Sequence, residues 1–269
     1  MTAYGNLEEF IDRHRTLFIL TGAGCSTGSG IPDYRDRNGD WKRVQPVNYD
    51  AFMDRDATRR RYWARSLLGW RRFRNATPND THRALARLEA MGRSELLVTQ
   101  NVDRLHQAAG SARVVDLHGR LDRVRCMGCE RRMARDDMQN EMAQLNPDWL
   151  AMRALDAPDG DADLDGVDFS IFIVPSCKHC GGVLKPDVVF FGETVPRDRV
   201  DVAERCLAQA DAVLIVGSSL MVYSGFRFVE TAVRIGKPTA AISLGLTRAD
   251  GLLSLKVEQP CETALAFLL

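Results

Sequence analysis

The sequence predicts an α/β fold with a parallel sheet, joined to a smaller cysteine-bearing module. Three observations predict it. Short apolar runs recur at Leu17–Leu20, Leu96–Thr99, Val114–Leu117, Ala212–Val216 and Thr239–Ile242. Each ends in small or polar residues, as strands buried on both faces of a parallel sheet do. Helical patterns separate most of them, at His82–Met91, Arg104–Ala109, Arg199–Ala210 and Phe226–Ile235. Two CxxC pairs then interrupt the alternation.

Composition bounds the class. The 269 residues are 45% hydrophobic and carry a formal net charge of +0. That suits one large globular domain plus a small insert. A neutral chain makes no electrostatic case for nucleic acid, so no direct nucleic-acid partner is expected. No apolar run approaches the ~20 residues that span a bilayer. Met1–Asp12 lacks a basic region followed by an apolar core, and its Glu8, Glu9 and Asp12 make it too acidic for a transit peptide. The expected location is a reducing cytoplasm, where the seven cysteines read as metal ligands or free thiols before disulfides.

The first strand, Leu17–Leu20, stops at Gly22-Ala23-Gly24. Glycine allows a tight turn and close approach of a bulky anion. Amides at the mouth of a following helix would receive a pyrophosphate. With Gly28 the spacing is GxGxxxG, one residue off the dinucleotide fingerprint, and a plain strand-to-helix turn fits it too. A dehydrogenase would return at once to a second strand ending in an acidic residue. Here Asn38–Arg43 reads as a polar loop instead.

Residues 48–76 are rich in arginine and aromatics, with Tyr62, Ser66 and Gly69 at helical spacing. They read either as a helical cap with a solvated basic face or as a mobile module closing over a cofactor. Pro78-Asn79-Asp80-Thr81 caps the next helix, with Leu85 and Leu88 inward, Gly92 at its end and His82 as a surface or capping residue. The strand at Leu96–Thr99 ends in Gln100-Asn101-Val102-Asp103, polar groups at a carboxyl edge where open α/β sheets bind ligands. The strand Val114–Leu117 ends in His118-Gly119, and its edge is expected to face the same cleft.

Cys126/Cys129 and Cys177/Cys180 suit two thiolate knuckles that close one tetrahedral zinc shell. A closed shell has no open position, so this zinc is structural. Residues 130–176 separate the pairs, well beyond the ~15–20 of a compact ribbon. They hold a helix at Asp136–Leu145 and an acidic loop at Asp156–Gly166. That loop lacks the last-position Glu of an EF-hand and reads as solvated. Cys206 and Cys261 fall outside the zinc set and are expected to lack partners. Leu184–Glu193 is apolar and extended, either a core strand or an open edge for peptide strand addition at Val189–Glu193. The strand Ala212–Val216 ends in Gly217-Ser218-Ser219, small residues that admit a ribose or phosphate. Thr239–Ile242 ends in Ser243-Leu244-Gly245, and Cys261 begins the last helix.

Jointly, GAGxSxxSGIPDYR, QNVDxLH and LHG resemble the sirtuins, the NAD-dependent protein deacylases. The long zinc-module insert, Arg61–Arg65, Leu145-Asn146-Pro147, Ala157–Asp161 and Leu184–Glu193 resemble the class II, sirtuin-4-like branch. The resemblance implies a Rossmann-like NAD-binding domain at 1–45, 78–122 and 186–269. It implies a helical insert at 46–77 and a zinc-binding module at 123–185, with the site in the cleft between them. It implies NAD contacts at Gly22, Ala23, Gly24, Ser26, Ile31, Pro32, Asp33, Tyr34, Arg35, Gln100, Asn101, Val102, Asp103, Gly217, Ser218, Ser219, Ser243, Leu244, Gly245 and Cys261. Ser243 stands where the family usually has Asn, a side chain with longer reach.

The implied activity is removal of acyl groups, acetyl and beyond, from protein lysines, releasing nicotinamide and O-acyl-ADP-ribose. Asn101 and His118 are the implied catalytic residues, with His118 as general base on a ribose hydroxyl. Val189, Phe190, Phe191, Gly192 and Glu193 would bind the acyl-lysine protein. Tyr62 and Arg65, one helical turn apart, match the pair that binds acidic acyl chains in related sirtuins; a solvated basic face explains Arg65 as well. Protein ADP-ribosyl transfer at the same NAD site and non-catalytic NAD sensing are the alternatives.

Overall fold

The computed structural model describes residues 5–42, 45–151, 155–157, 161–163 and 166–269. They form two compact units. The first comprises Met1–Val44, Thr77–Leu117 and Val195–Leu269, and the second Gln45–Ala76 and His118–Thr194.

The first unit is built on six parallel strands: β1 (Leu17–Thr21), β2 (Ser94–Thr99), β3 (Val114–Asp116), then β9 (Ala212–Val216), β10 (Thr239–Ile242) and β11 (Leu255–Val257). The strand order is β11-β10-β9-β1-β2-β3. The chain therefore winds outward from β1 in one direction and, from β9, in the other. The reversal between β1 and β9 is the switch point at which such sheets open a crevice beyond their carboxyl ends. Register is in phase there, Leu17 opposite Ala212 and Thr21 opposite Val216.

Both sheet faces are covered, which is why β1 reads as an unbroken apolar run. Leu17 and Ile19 face α1 (Leu7–Arg13) and α4 (Asp80–Ala90). Phe18 and Leu20 face α7 (Arg197–Gln209) and α8 (Tyr223–Arg234). α4 begins as its sequence predicts: the Asn79 side chain accepts the His82 amide, and His82 reaches back to the cap. His82 is nonetheless fully buried and not at the surface. The glycine turn after β1 leads into two three-residue 3-10 turns, Ala23–Cys25 and Thr27–Ser29, and not into the helix expected there. β11 has too little sequence signal to be expected, being three residues with a lysine in the middle.

In the second unit, α2 (Tyr49–Asp54) and α3 (Asp56–Phe73) form the helical insert. A three-stranded antiparallel sheet, β5-β4-β8, is made from β4 (Gly119–Cys126), β5 (Arg132–Ala134) and β8 (Leu184–Val188). Domain boundaries drawn at 122 and 185 would cut β4 and β8. Both strands lie whole in the second unit because they pair end to end, Gly119 with Val188 and Cys126 with Leu184. Trp63 of α3 donates its indole N–H to the Leu184 carbonyl at 3.1 Å. The buried Arg135 opens α6 (Arg135–Leu145) and bonds Ser66 of α3, its guanidinium 5.4 Å from the Trp63 ring and 5.0 Å from Trp70. Within the acidic stretch expected to be a solvated loop, β6 (Leu155–Ala157) and β7 (Asp161–Asp163) pair as a hairpin. Residues 158–160 and 164–165 of that stretch lie outside the described residues. Among the described residues, no helix is long and apolar enough to cross a membrane.

Candidate active site

At the switch point the loops after β1 and β9 touch backbone to backbone. The Gly22 amide donates to the Val216 carbonyl at 3.1 Å and Gly24 to Gly217 at 2.8 Å. Gly217 has φ +62°, and a Cβ there would lie 2.4 Å from the Cys25 nitrogen. A side chain at either glycine would force the two loops apart. The amides of Cys25 and Ser26 turn inward, to the Gly22 and Ala23 carbonyls.

The polar groups that end β2 stitch these loops together. Gln100 donates to Ser218 Oγ at 2.7 Å. Asn101 Nδ2 donates to the Gly22 carbonyl at 3.0 Å and to Ser26 Oγ at 3.1 Å. Ser26 in turn donates to Asp103 Oδ2 at 2.6 Å. Burial pushes the Asp103 carboxyl up from its ordinary value, against the pull of the Ser26 and Leu105 donors. Val102 is buried beside them.

Behind this lattice lies a layer that sequence reasoning missed. Thr21 Oγ1 bonds Thr99 Oγ1 at 2.8 Å and His106 Nε2 at 2.9 Å. The rings of His82 and His106 lie 4.8 Å apart. Burial holds His82 down to about 4 and His106 well below the ordinary imidazole value, so both are neutral at pH 7. The available sequence signal is a polar threonine closing each of two adjacent apolar strands. The burial of the histidines depends on α4 meeting α5 (Leu105–Ala108), which no local pattern announces.

The Ile31–Arg35 stretch lies in a loop. The Ile31 amide donates to the Ser26 carbonyl. Asp33 pairs with Lys42 at 2.5 Å. Tyr34 meets Trp41 edge-on, and Arg35 lies 3.9 Å from the Trp41 ring while donating to the Gly39 carbonyl. The loop leans on the ends of β9 and β10: Leu246 donates to the Arg37 carbonyl, and a Cβ on Gly245 would meet that oxygen at 2.4 Å. The Ser219 carbonyl accepts the Arg248 amide, Ser243 Oγ lies 3.4 Å from the Gly245 carbonyl, and Leu244 is exposed. Cys261, which starts α9 (Cys261–Ala264), is a free cysteine outside the zinc set, as its sequence position suggests. Its thiol meets that of Cys25; burial and this neighbour push the Cys25 thiol up. Glycines at close approach, hydroxyls, amides and one guanidinium at the carboxyl ends of four strands form a donor set that fits a dinucleotide.

In the second unit, His118 and Val189 are joined directly: the Val189 amide donates to the His118 carbonyl at 2.8 Å. Gly119 beside them has φ +86°, and a Cβ there would lie 2.1 Å from the Asp187 carbonyl, so that position admits glycine alone. The sequence predicts an extended Val189–Glu193. The strand stops at Val188, and 190–193 form a turn because Glu193 N–H donates to Phe190 O and Gly192 takes φ +83°. Phe191 is anchored by the Tyr49 amide at 2.8 Å. Tyr62 is 8% exposed, packed edge-on against Phe52 and Trp63 and 5.3 Å from the Phe190 ring. Arg65, one turn along α3, is half-buried.

The four cysteines converge. Cys126, Cys129, Cys177 and Cys180 hold their sulfurs within 4.8 Å of one another, Cys126 to Cys180 at 3.4 Å and Cys129 to Cys177 at 3.7 Å. A tetrahedron with Zn–S bonds of about 2.3 Å has edges of roughly 3.8 Å, so the set fits one structural zinc ion. The amides of Cys129 and Gly128 point at the Cys126 sulfur and hold its thiol down to about 6, which favours the ligating thiolate.

A parallel nucleotide-binding sheet with a four-cysteine knuckle in a separate unit defines a narrow class of protein. The Sir2 family model matches residues 22–224, and the chain belongs to that family. It is 66% identical over 264 residues to the NAD-dependent protein deacetylase 2 of Bradyrhizobium diazoefficiens, covering 98% of this chain and 97% of that one. It is 46% identical to the mitochondrial NAD-dependent protein lipoamidase sirtuin-4 of Bos taurus, over 95% of this chain and 82% of that one. A solved Sir2–p53 peptide–NAD+ complex superposes with a TM-score of 0.79 at 29% identity, covering 97% of this chain and 95% of that one.

Zinc binding to such sites supplies about 10–16 kcal/mol, as much as the whole stability of a typical domain. Chelation, or Cys126→Ser, will therefore unfold the second unit and lower the melting temperature. Metal analysis of fresh protein should find one zinc per chain; a fully stable, zinc-free protein would contradict this.

Proposed function

We propose that the protein is an NAD-dependent protein lysine deacylase that releases nicotinamide and O-acyl-ADP-ribose. The observation that carries the reading is the backbone bond from Val189 to His118. That bond supports reading His118 as a general base beside Val189–Glu193 as the peptide-binding segment.

When bound, NAD supplies an electrophilic ribose carbon with nicotinamide as its leaving group. The loops Gly22–Ser26 and Gly217–Ser219 and the Arg35 guanidinium hold the phosphates and riboses, and Ser243–Gly245 with Cys261 hold the adenosine end. Ile31, Pro32, Asp33, Tyr34, Gln100, Asn101, Val102 and Asp103 shape the nicotinamide pocket. They bind the carboxamide and keep out water that would otherwise hydrolyse the cofactor. Asn101 is well suited to fix geometry, because its amide already spans Gly22 and Ser26. His118 accepts the proton of a ribose hydroxyl on an imidazole nitrogen, the general-base work that imidazole commonly does. Val189–Glu193 hold the acyl-lysine peptide through backbone hydrogen bonds, which leaves the flanking sequence loosely specified. A four-cysteine zinc site suits a reducing, cytoplasmic setting.

The relatives' names support an acetyl-lysine substrate, and the lipoamidase among them supports longer acyl groups. Arg65 is the charged member of the Tyr62–Arg65 pair and pairs with the distal carboxylate of an acidic acyl chain; arginine's planar fork suits that task.

Two substitutions test the reading. His118→Ala should abolish turnover of an acetyl-lysine peptide while NAD binding and melting temperature hold; activity within about tenfold of wild type, ~1.4 kcal/mol in barrier, would remove His118 from the mechanism. Arg65→Met should lower turnover of a glutaryl-type lysine by about 10- to 100-fold, the loss of roughly 1.5–3 kcal/mol of charge-assisted bonding. Acetyl-lysine turnover should change little; an equal fall on both substrates assigns Arg65 to structure.

A further inference from the structure

The segment that follows β8 is fixed by an unusual group. Lys185, one of only five lysines in an arginine-rich chain, is 3% exposed. Its ammonium lies 2.9 Å from Glu193 Oε2, bonds the Val188 carbonyl, and sits 3.4 Å from the Pro186 carbonyl and 4.4 Å from the Phe190 ring. The same Glu193 oxygen accepts the Phe190 amide at 2.9 Å. One cation and one carboxylate thus clamp both ends of the stretch Val188–Glu193.

A buried ion pair of this kind contributes little net stability, since desolvation offsets most of the attraction. What it does supply is a fixed geometry. A compact ammonium with three donors can reach the Val188 carbonyl, the Pro186 carbonyl and Glu193 at once; a planar guanidinium would not fit that fan of acceptors. The backbone it fixes begins at Val189, which bonds the His118 carbonyl.

We propose that Lys185 is a positioning residue for the protein substrate: through Glu193 and the Val188 carbonyl it sets the backbone of Val189–Glu193 in the shape that receives the acyl-lysine peptide. This rests on the reading of that segment as the peptide-binding edge. Lys185 itself touches neither peptide nor cofactor.

The test uses the full-length, zinc-bound protein and two variants, Lys185→Met and Lys185→Met/Glu193→Gln. The double variant removes both charges, so it separates loss of the clamp from the destabilising effect of a lone buried carboxylate. Amide hydrogen exchange is read at Phe190 and Glu193, alongside steady-state kinetics with an acetyl-lysine peptide and NAD. In both variants exchange at these amides should quicken; in Lys185→Met the peptide KM should rise by about tenfold, with the NAD KM and the kcat at saturating peptide within about twofold of wild type. Unchanged exchange in the double variant overturns the clamp. Faster exchange with an unmoved peptide KM overturns the segment's role in binding peptide. An equal rise in both KM values assigns Lys185 to structure alone.

Discussion

The close approach of two strand ends governs the first unit. β1 and β9 run parallel in register, and the sheet's winding reverses between them. Their loops must therefore diverge around whatever is bound, yet they touch: Gly24 donates to Gly217, and neither position has room for a Cβ. With that contact made, Gln100 can reach Ser218, and Asn101 can span Gly22 and Ser26. Two neutral histidines and two threonines fill the space behind. Apart from His106 Nδ1, which is buried without a partner, the named groups are paired, and paired buried lattices are rigid. Rigidity here serves placement, because Asn101 and Asp103 hang from the same lattice.

The second unit solves a different problem. Its sheet is small, and its helices pack through an aromatic-rich core, with Trp63 bonded to the Leu184 carbonyl and Arg135 of α6 to Ser66 of α3. Four sulfurs gathered within 4.8 Å add a metal-ligating closure to that packing. The result is a short ladder in which β4 starts at Gly119 and β8 ends at Val188, so that His118 and Val189 meet at its open end. Gly119 is the constraint: with a carbonyl 2.1 Å from where its Cβ would be, the strands could not close over any other residue.

Much of this is legible in the sequence, for reasons that differ by element. The central strands are buried on both faces, so β1, β2 and β9 appear as plain apolar runs, and the polar quartet Gln100–Asp103 and the CxxC pairs stand out against them. β4 is hidden because its register shifts between Gly119 and Val124 and its exposed positions carry arginine and aspartate, which breaks the period-two alternation. The β6–β7 hairpin is hidden in an acidic, glycine-bearing stretch with low strand propensity. His82 reads as a helix cap, which it is, but its burial follows from tertiary contacts between α4 and α5. The nearness of the free Cys25 and Cys261 thiols has the same origin, bringing together residues from opposite ends of the chain. The 190–193 turn defeats the expectation of an extended edge because Glu193 folds back on Phe190, a side-chain bond with no signature in hydrophobic pattern.

If one site couples the acyl group of a lysine to the ribose of NAD, the two substrates must be consumed together. The most direct measurement is product stoichiometry by mass spectrometry, with purified protein, NAD and an acetyl-lysine peptide. Freed lysine peptide, nicotinamide and O-acetyl-ADP-ribose should appear in equal amounts. Free acetate without nicotinamide release, or ADP-ribose attached to protein with the acetyl group left in place, would contradict the coupling.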